Sequence, residues 1–192
     1  MALVMKRIAL GGMLLIGTLT VLIAVGYAMD DPGGWAGAAI SAAWVVPTVL
    51  LTWAAWTRPA LGARILVPLV VLVALARVVL PFASERLREF VDGVGPVFAL
   101  ATVAVAVATA ALGLHRTGIA GWLLACLAII NGAGVYAQDV ARGGGGPGPL
   151  GLLSTSGGVL TLPMLVAGAL LVAADRLEHR RPSAPASRPT HV

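Results

Sequence analysis

Six long apolar stretches with almost no charged side chains constrain this chain more than any other feature. A hydrocarbon core of about 30 Å needs about 20 consecutive helical residues per crossing. Charged residues make up 11% of the chain and hydrophobic residues 59%, whereas soluble domains carry roughly 25% charged residues. We therefore predict an all-α, polytopic membrane helix bundle with six transmembrane helices: Ile8–Met29, Trp35–Trp56, Ile65–Phe82, Pro96–Leu114, Ile119–Ala137 and Leu150–Ala174.

The basic residues indicate the orientation of the bundle. Six crossings put both termini on one side, and cytoplasmic loops are enriched in Lys and Arg. With the termini inside, nine basic residues are cytoplasmic and three are external. The cytoplasmic set is Lys6, Arg7, Arg58, Arg64, Arg116, Arg176, Arg180, Arg181 and Arg188, and the external set is Arg86, Arg88 and Arg142. We predict cytoplasmic termini in a bacterial inner (plasma) membrane, since the preference for Arg over Lys is typical of GC-rich bacterial genomes.

The chain then divides into three parts. Residues 1–7 form a cytoplasmic N-terminus, residues 8–174 the six-helix transmembrane domain, and residues 175–192 a basic, disordered cytoplasmic tail. The first apolar stretch, preceded by Lys6 and Arg7, also fits a cleaved signal peptide. Its 22 residues exceed the usual apolar length of about 7–15, which favours a retained helix.

The connections carry their own patterns. Leu87, Phe90, Val91 and Val94 recur at helical spacing in Ser84–Gly95, which predicts a short interfacial helix between helices 3 and 4. Gln138–Pro149 contains four consecutive glycines and two prolines, and this composition predicts a mobile external loop. The small and hydroxyl-bearing residues Ser154–Gly158 lie within the sixth apolar stretch. The sequence leaves two alternatives open there: the sixth helix is continuous, or it is interrupted at this segment.

Arg77 is the one unambiguous ionisable residue within a predicted span, and such residues mark functional sites. It lies five residues before Phe82, about 8 Å from the predicted outer boundary. One interpretation is that its side chain snorkels to the headgroups, with Glu85 or Glu89 as partner. The other is that it belongs to a polar layer between helices.

The polar layer would draw on the fifth and sixth helices. Asn131 and Gln138 are seven residues apart and share one helix face, and Ser154 and Ser156 lie at a comparable depth. If the third, fifth and sixth helices meet, Arg77, Asn131, Gln138, Ser154 and Ser156 form an outward-facing pocket. Its positive charge and amide groups would suit an anionic or carboxylate-bearing ligand.

Other chemistry finds little support in the sequence. Three histidines and one cysteine, scattered over helix ends and one helix interior, predict no metal site and no cofactor. A serine nucleophile needs an adjacent base, and no histidine lies within a predicted helix core. The basic residues form no continuous patch with interleaved aromatics, which argues against nucleic acid.

We therefore expect a non-catalytic accessory or structural membrane protein, with a small transporter or ligand-binding protein as the alternative. Its partners are the lipid bilayer and, through packing faces of small residues, further copies of itself or another membrane protein. On the fifth helix that face comprises Gly118, Gly121, Ala125, Ala128 and Gly132.

The predicted orientation can be tested by labelling single cysteines. In a Cys126→Ser background, a membrane-impermeant maleimide should label Ser84→Cys in intact cells and Ser187→Cys only after the membrane is opened. Labelling of Ser187→Cys in intact cells would contradict the orientation.

Overall fold

The computed structural model describes residues 1–82, 97–141 and 158–179, and within these ranges all regular structure is helical. The six α-helices are α1 (Ala2–Asp30), α2 (Gly34–Thr57), α3 (Pro59–Val79), α4 (Val97–Leu112), α5 (Thr117–Ala141) and α6 (Gly158–His179), with a 3₁₀ turn at Leu80–Phe82. Five helices are long and apolar enough to cross a membrane, and α4 is a shorter apolar helix. The predicted helical membrane bundle is supported at this level.

Helix α4 lies at the centre of the bundle. The other five helices form a closed ring in the order α1, α2, α3, α5 and α6, and α4 contacts every one of them. From Thr102 to Leu112 all its residues are buried, as expected for a helix that is apolar on all sides. The two threonines in this stretch satisfy their own hydroxyls, because Thr102 Oγ1 donates to Phe98 O at 2.6 Å and Thr109 Oγ1 donates to Val105 O at 2.7 Å.

Both ends of the described chain meet at one end of the bundle. Lys6 Nζ, near the start of α1, lies 2.8 Å from Glu178 Oε1, near the end of α6. Successive helices alternate in direction, so α2 ends and α3 begins at this same end. We name it the basic end, because it carries Lys6, Arg7, Arg58, Arg64, Arg116 and Arg176.

Four helices extend beyond the predicted apolar stretches by four residues or more at one end. Helix α1 begins at Ala2 rather than Ile8, and α3 begins at Pro59 rather than Ile65. Pro59 occupies the first turn of α3, where its fixed φ and missing N–H suit a helix start. Counting apolar residues placed the starts of these two helices too late, since backbone hydrogen bonds continue a helix through polar residues.

The other two extensions correct predictions of irregular structure. Helix α5 continues through Gln138 to Ala141, at the start of the segment predicted as a loop. Helix α6 continues to His179, although residues 175–179 belong to the segment predicted as a disordered tail. Glu178 pairs with Lys6 there, and the ring of His179 contacts the Asp175 carbonyl oxygen, so side chains on this last turn have partners within the bundle.

Three predicted features lie outside the described residues. They are the interfacial helix at Ser84–Gly95, the start of the sixth helix from Leu150 to Gly157, which includes Ser154, and the tail beyond His179.

Small residues bring α5 and α6 into close contact. A Cβ atom added at Gly121 would lie 2.9 Å from Val172 N and 3.1 Å from Gly168 O, and one added at Gly168 would lie 3.0 Å from Ala125 N. Helices in lipid gain little from hydrophobic association, so backbone approach of this kind supplies much of their attraction. The face predicted on the fifth helix therefore packs against α6.

This packing predicts that Gly121→Ala destabilises the bundle. The added methyl group meets the backbone of α6, and overpacking of this kind costs about 1–3 kcal/mol. The matched control is Gly12→Ala, because a Cβ there has no atom within 4 Å, so helix propensity should leave it neutral or stabilise it by up to about 1 kcal/mol. The unfolding free energies of both variants can be measured in mixed micelles by circular dichroism. Equal stability of Gly121→Ala and wild type would refute the packing argument.

Candidate polar site around Arg77

Arg77 lies inside the bundle near the end of α3, with 7% of its surface exposed. Because α3 begins at the basic end, Arg77 is toward the opposite end of the molecule. Lys6 is the other buried basic residue in the described part of the chain. Lys6 has an acidic partner in Glu178, whereas none of the described acidic residues forms an ion pair with Arg77.

A chain of hydrogen bonds joins Arg77 to two other helices. Its Nη2 donates to Asn131 Oδ1 on α5 at 2.9 Å, and Asn131 Nδ2 donates to Thr161 Oγ1 on α6 at 2.9 Å. Asn131 is 1% exposed. Helices α3, α5 and α6 therefore meet, which is the condition that the polar layer requires. We name Arg77, Asn131 and Thr161 the Arg77 cluster.

Two further residues shape the space around the guanidinium. At Gly134, one turn beyond Asn131 on α5, an added Cβ would lie 3.2 Å from Arg77 Cβ and 3.3 Å from Arg77 Cδ. The missing side chain thus makes room for the stem of Arg77. The ring of Phe98 on α4 lies 5.7 Å from Arg77 Cζ, a distance at which an aromatic face attracts a cation.

The guanidinium is not fully satisfied by these contacts. Its Nε is buried and makes no hydrogen bond within the part of the chain that is described. An ionised group away from water is costly unless it is paired, and an unmade hydrogen bond adds to that cost. The site thus combines a positive charge with a free N–H donor, the two properties that attract an oxyanion.

The arrangement of Arg77 differs from snorkelling. Its guanidinium points to Asn131 within the protein rather than along the lipid-facing surface. Glu85 and Glu89, the partners considered for a snorkelling side chain, lie outside the described residues.

The other predicted site residues have different outcomes. Gln138 lies on α5 seven residues beyond Asn131, is half-buried, and makes no hydrogen bond with the Arg77 cluster. Ser154 and Ser156 lie outside the described residues. Sequence reasoning missed Thr161, although it is the only hydroxyl-bearing residue between Val159 and Ala174, and it missed Phe98, which no sequence signal places beside Arg77.

Among the described residues, no group of three or more His, Cys, Asp or Glu side chains lies close enough together to hold a metal ion. The single cysteine, Cys126, is exposed on the outer surface of α5. No protein-family model matches the chain, and comparison with curated proteins and with solved structures finds no significant match.

A double-mutant cycle tests whether Arg77 and Asn131 depend on each other. Asn131→Leu removes the acceptor of a buried guanidinium N–H and should cost about 1–3 kcal/mol of unfolding free energy. Combining it with Arg77→Leu removes both partners, so the double variant should be more stable than the sum of the single effects predicts, by about 0.5–3 kcal/mol. Additive effects would show that the hydrogen bond contributes no coupling.

Proposed function

We propose that this multi-pass membrane protein is a small transporter or ligand-binding protein that binds an anionic, carboxylate-bearing ligand at Arg77. The protein acts in a bacterial inner membrane with both termini in the cytoplasm. In this orientation the Arg77 cluster lies toward the external side, since Arg77 is distant from the basic end. No covalent chemistry is required of the site.

The observation that carries the proposal is the unbalanced charge of Arg77. Its guanidinium is buried between α3, α4 and α5, has one neutral hydrogen-bond acceptor in Asn131, and retains a buried Nε without a partner in the described ranges. A bilayer makes such a charge expensive, and ionisable groups held there line substrate pathways or ligand sites. An arriving anion would supply the missing countercharge.

The shape of the donor group favours a carboxylate. A guanidinium presents its N–H groups in one plane, a geometry that matches the two oxygens of a carboxylate. Phe98 offers an apolar surface beside the charge. A small organic anion with an apolar part fits these neighbours better than a strongly hydrated inorganic ion does.

A non-catalytic accessory role is the second candidate. It is favoured by the two hydrogen bonds of the Arg77 cluster, which join α3, α5 and α6 and would serve as an interhelical tether without any ligand. In that case outward-facing surfaces of the bundle, other than the small-residue face of α5 that packs against α6, would bind a second copy or another membrane protein.

Ligand-induced stabilisation distinguishes the two candidates. Acetate, benzoate and succinate, compared with chloride at matched ionic strength, should raise the thermal unfolding midpoint of the purified protein, because a ligand that binds only the folded state stabilises it. Arg77→Gln should abolish this increase. The control is Arg64→Gln on the same helix, because Arg64 is exposed at the basic end, and it should respond as wild type does.

Two outcomes would reject ligand binding at Arg77. The first is that no carboxylate raises the midpoint of the wild type more than chloride does. The second is that Arg77→Gln and wild type respond equally. If Arg77→Gln lowers the midpoint in chloride while the wild type shows no carboxylate response, the tether of the accessory role is supported.

A further inference from the structure

A cavity lies between α1 and α2, and Arg77 is not among the residues that line it. Its volume is about 440 Å³, within the range of about 300–1,000 Å³ typical of ligand pockets. The lining residues come from one stretch of each helix, Leu14 to Leu22 and Val45 to Trp56, with Val107 of α4 beside them. We name this cavity the α1–α2 groove.

The dimensions of the groove match a hydrocarbon chain lying along the helices. The two lining stretches advance eight and eleven residues, which corresponds to about 12–17 Å at the rise of an α-helix. That length is roughly half of a hydrocarbon core of about 30 Å, the depth of one leaflet.

The walls of the groove are mainly apolar, and two of the three threonines that line it, Thr48 and Thr52, direct their hydroxyls to their own helix. Thr48 Oγ1 donates to Trp44 O and Thr52 Oγ1 to Thr48 O, each at 2.7 Å. These hydroxyls are therefore occupied by their own helix. A polar ligand or water would find few partners, because apolar cavities stay dry.

The central helix closes the inner side of the groove. A Cβ at Gly17 would lie 2.6 Å from Val107 Cγ2, so the absence of a side chain lets α1 rest directly on α4. On the outer side Leu22, Val49, Trp53 and Trp56 are exposed. In a membrane, the groove therefore opens sideways to lipid.

Charge identifies which lipid fits. Trp53 and Trp56, with 64% and 53% of their surfaces exposed, line the part of the groove nearest the basic end. Indoles favour the membrane interface. Arg58 follows two residues after Trp56 at the end of α2 and is exposed, and basic residues at this level attract anionic headgroups.

The geometry points to the α1–α2 groove as a binding site for one anionic glycerophospholipid. An acyl chain lies between Leu14–Leu22 and Val45–Trp56, and the phosphate contacts Arg58. This site is separate from the carboxylate site proposed at Arg77, and the two make no use of a common side chain.

Native mass spectrometry of the full chain tests this inference. The protein is released from mixed micelles that contain equal amounts of phosphatidylglycerol and phosphatidylcholine. Wild type should retain one phosphatidylglycerol in preference to phosphatidylcholine. Arg58→Gln should reduce that preference about fivefold, as expected for the loss of one interfacial charge. Arg176→Gln, which removes an exposed charge at the same end on α6, is the control and should retain the preference.

Variants that fill the α1–α2 groove test the inference in a second way, by the same measurement of lipid retention. Thr52→Phe places an aromatic ring in the cavity and should abolish retention of the lipid. Val46→Phe is the control, because Val46 is exposed on α2 and does not line the groove. If Thr52→Phe does not fold, Thr48→Leu narrows the same groove with fewer added atoms. Equal retention of the two lipids by wild type, or unchanged retention when the groove is filled, would overturn the inference.

Discussion

Close backbone approach at small side chains is the constraint on which this bundle depends. Hydrocarbon solvates apolar side chains as well as a neighbouring helix does, so helices associate in it mainly through van der Waals packing and a few polar contacts. The central helix α4 is built largely from Ala, Val and Thr, and five helices surround it. Gly17 allows contact of α1 with α4, and Gly121 and Gly168 allow contact of α5 with α6.

Polar contacts then fix α6 near both of its ends. Glu178, near the C-terminal end of α6, pairs with Lys6 of α1. Thr161, near the N-terminal end of α6, accepts a hydrogen bond from Asn131 of α5. The two links differ in charge balance. Lys6 meets a carboxylate at a partly exposed position, whereas Arg77, at the other link, meets only a neutral amide. This difference is why the Arg77 cluster, and not the Lys6 pair, is the candidate ligand site.

The central helix contacts both of the proposed sites. Phe98 lies beside the Arg77 guanidinium, and Val107 lines the α1–α2 groove. Nine residues separate them, about 13–14 Å along the helix. The candidate charged site and the apolar groove therefore occupy different depths of one bundle.

The sequence by itself determined that the chain is a bundle of apolar helices, because the length and near absence of charge of these stretches suit only a hydrocarbon solvent. It also singled out Arg77 and Asn131, since polar groups are conspicuous in such stretches. Helix ends were predicted less well, as α1 and α3 show, because hydrogen bonding along a helix does not stop where hydrophobicity does. Only the tertiary structure decided that α3, α5 and α6 meet, that Thr161 and Phe98 join Arg77, and that α4 is central. Almost every face of these helices is apolar, so hydropathy carries no information about which faces pack together; the shapes of small residues at the contacts make that choice.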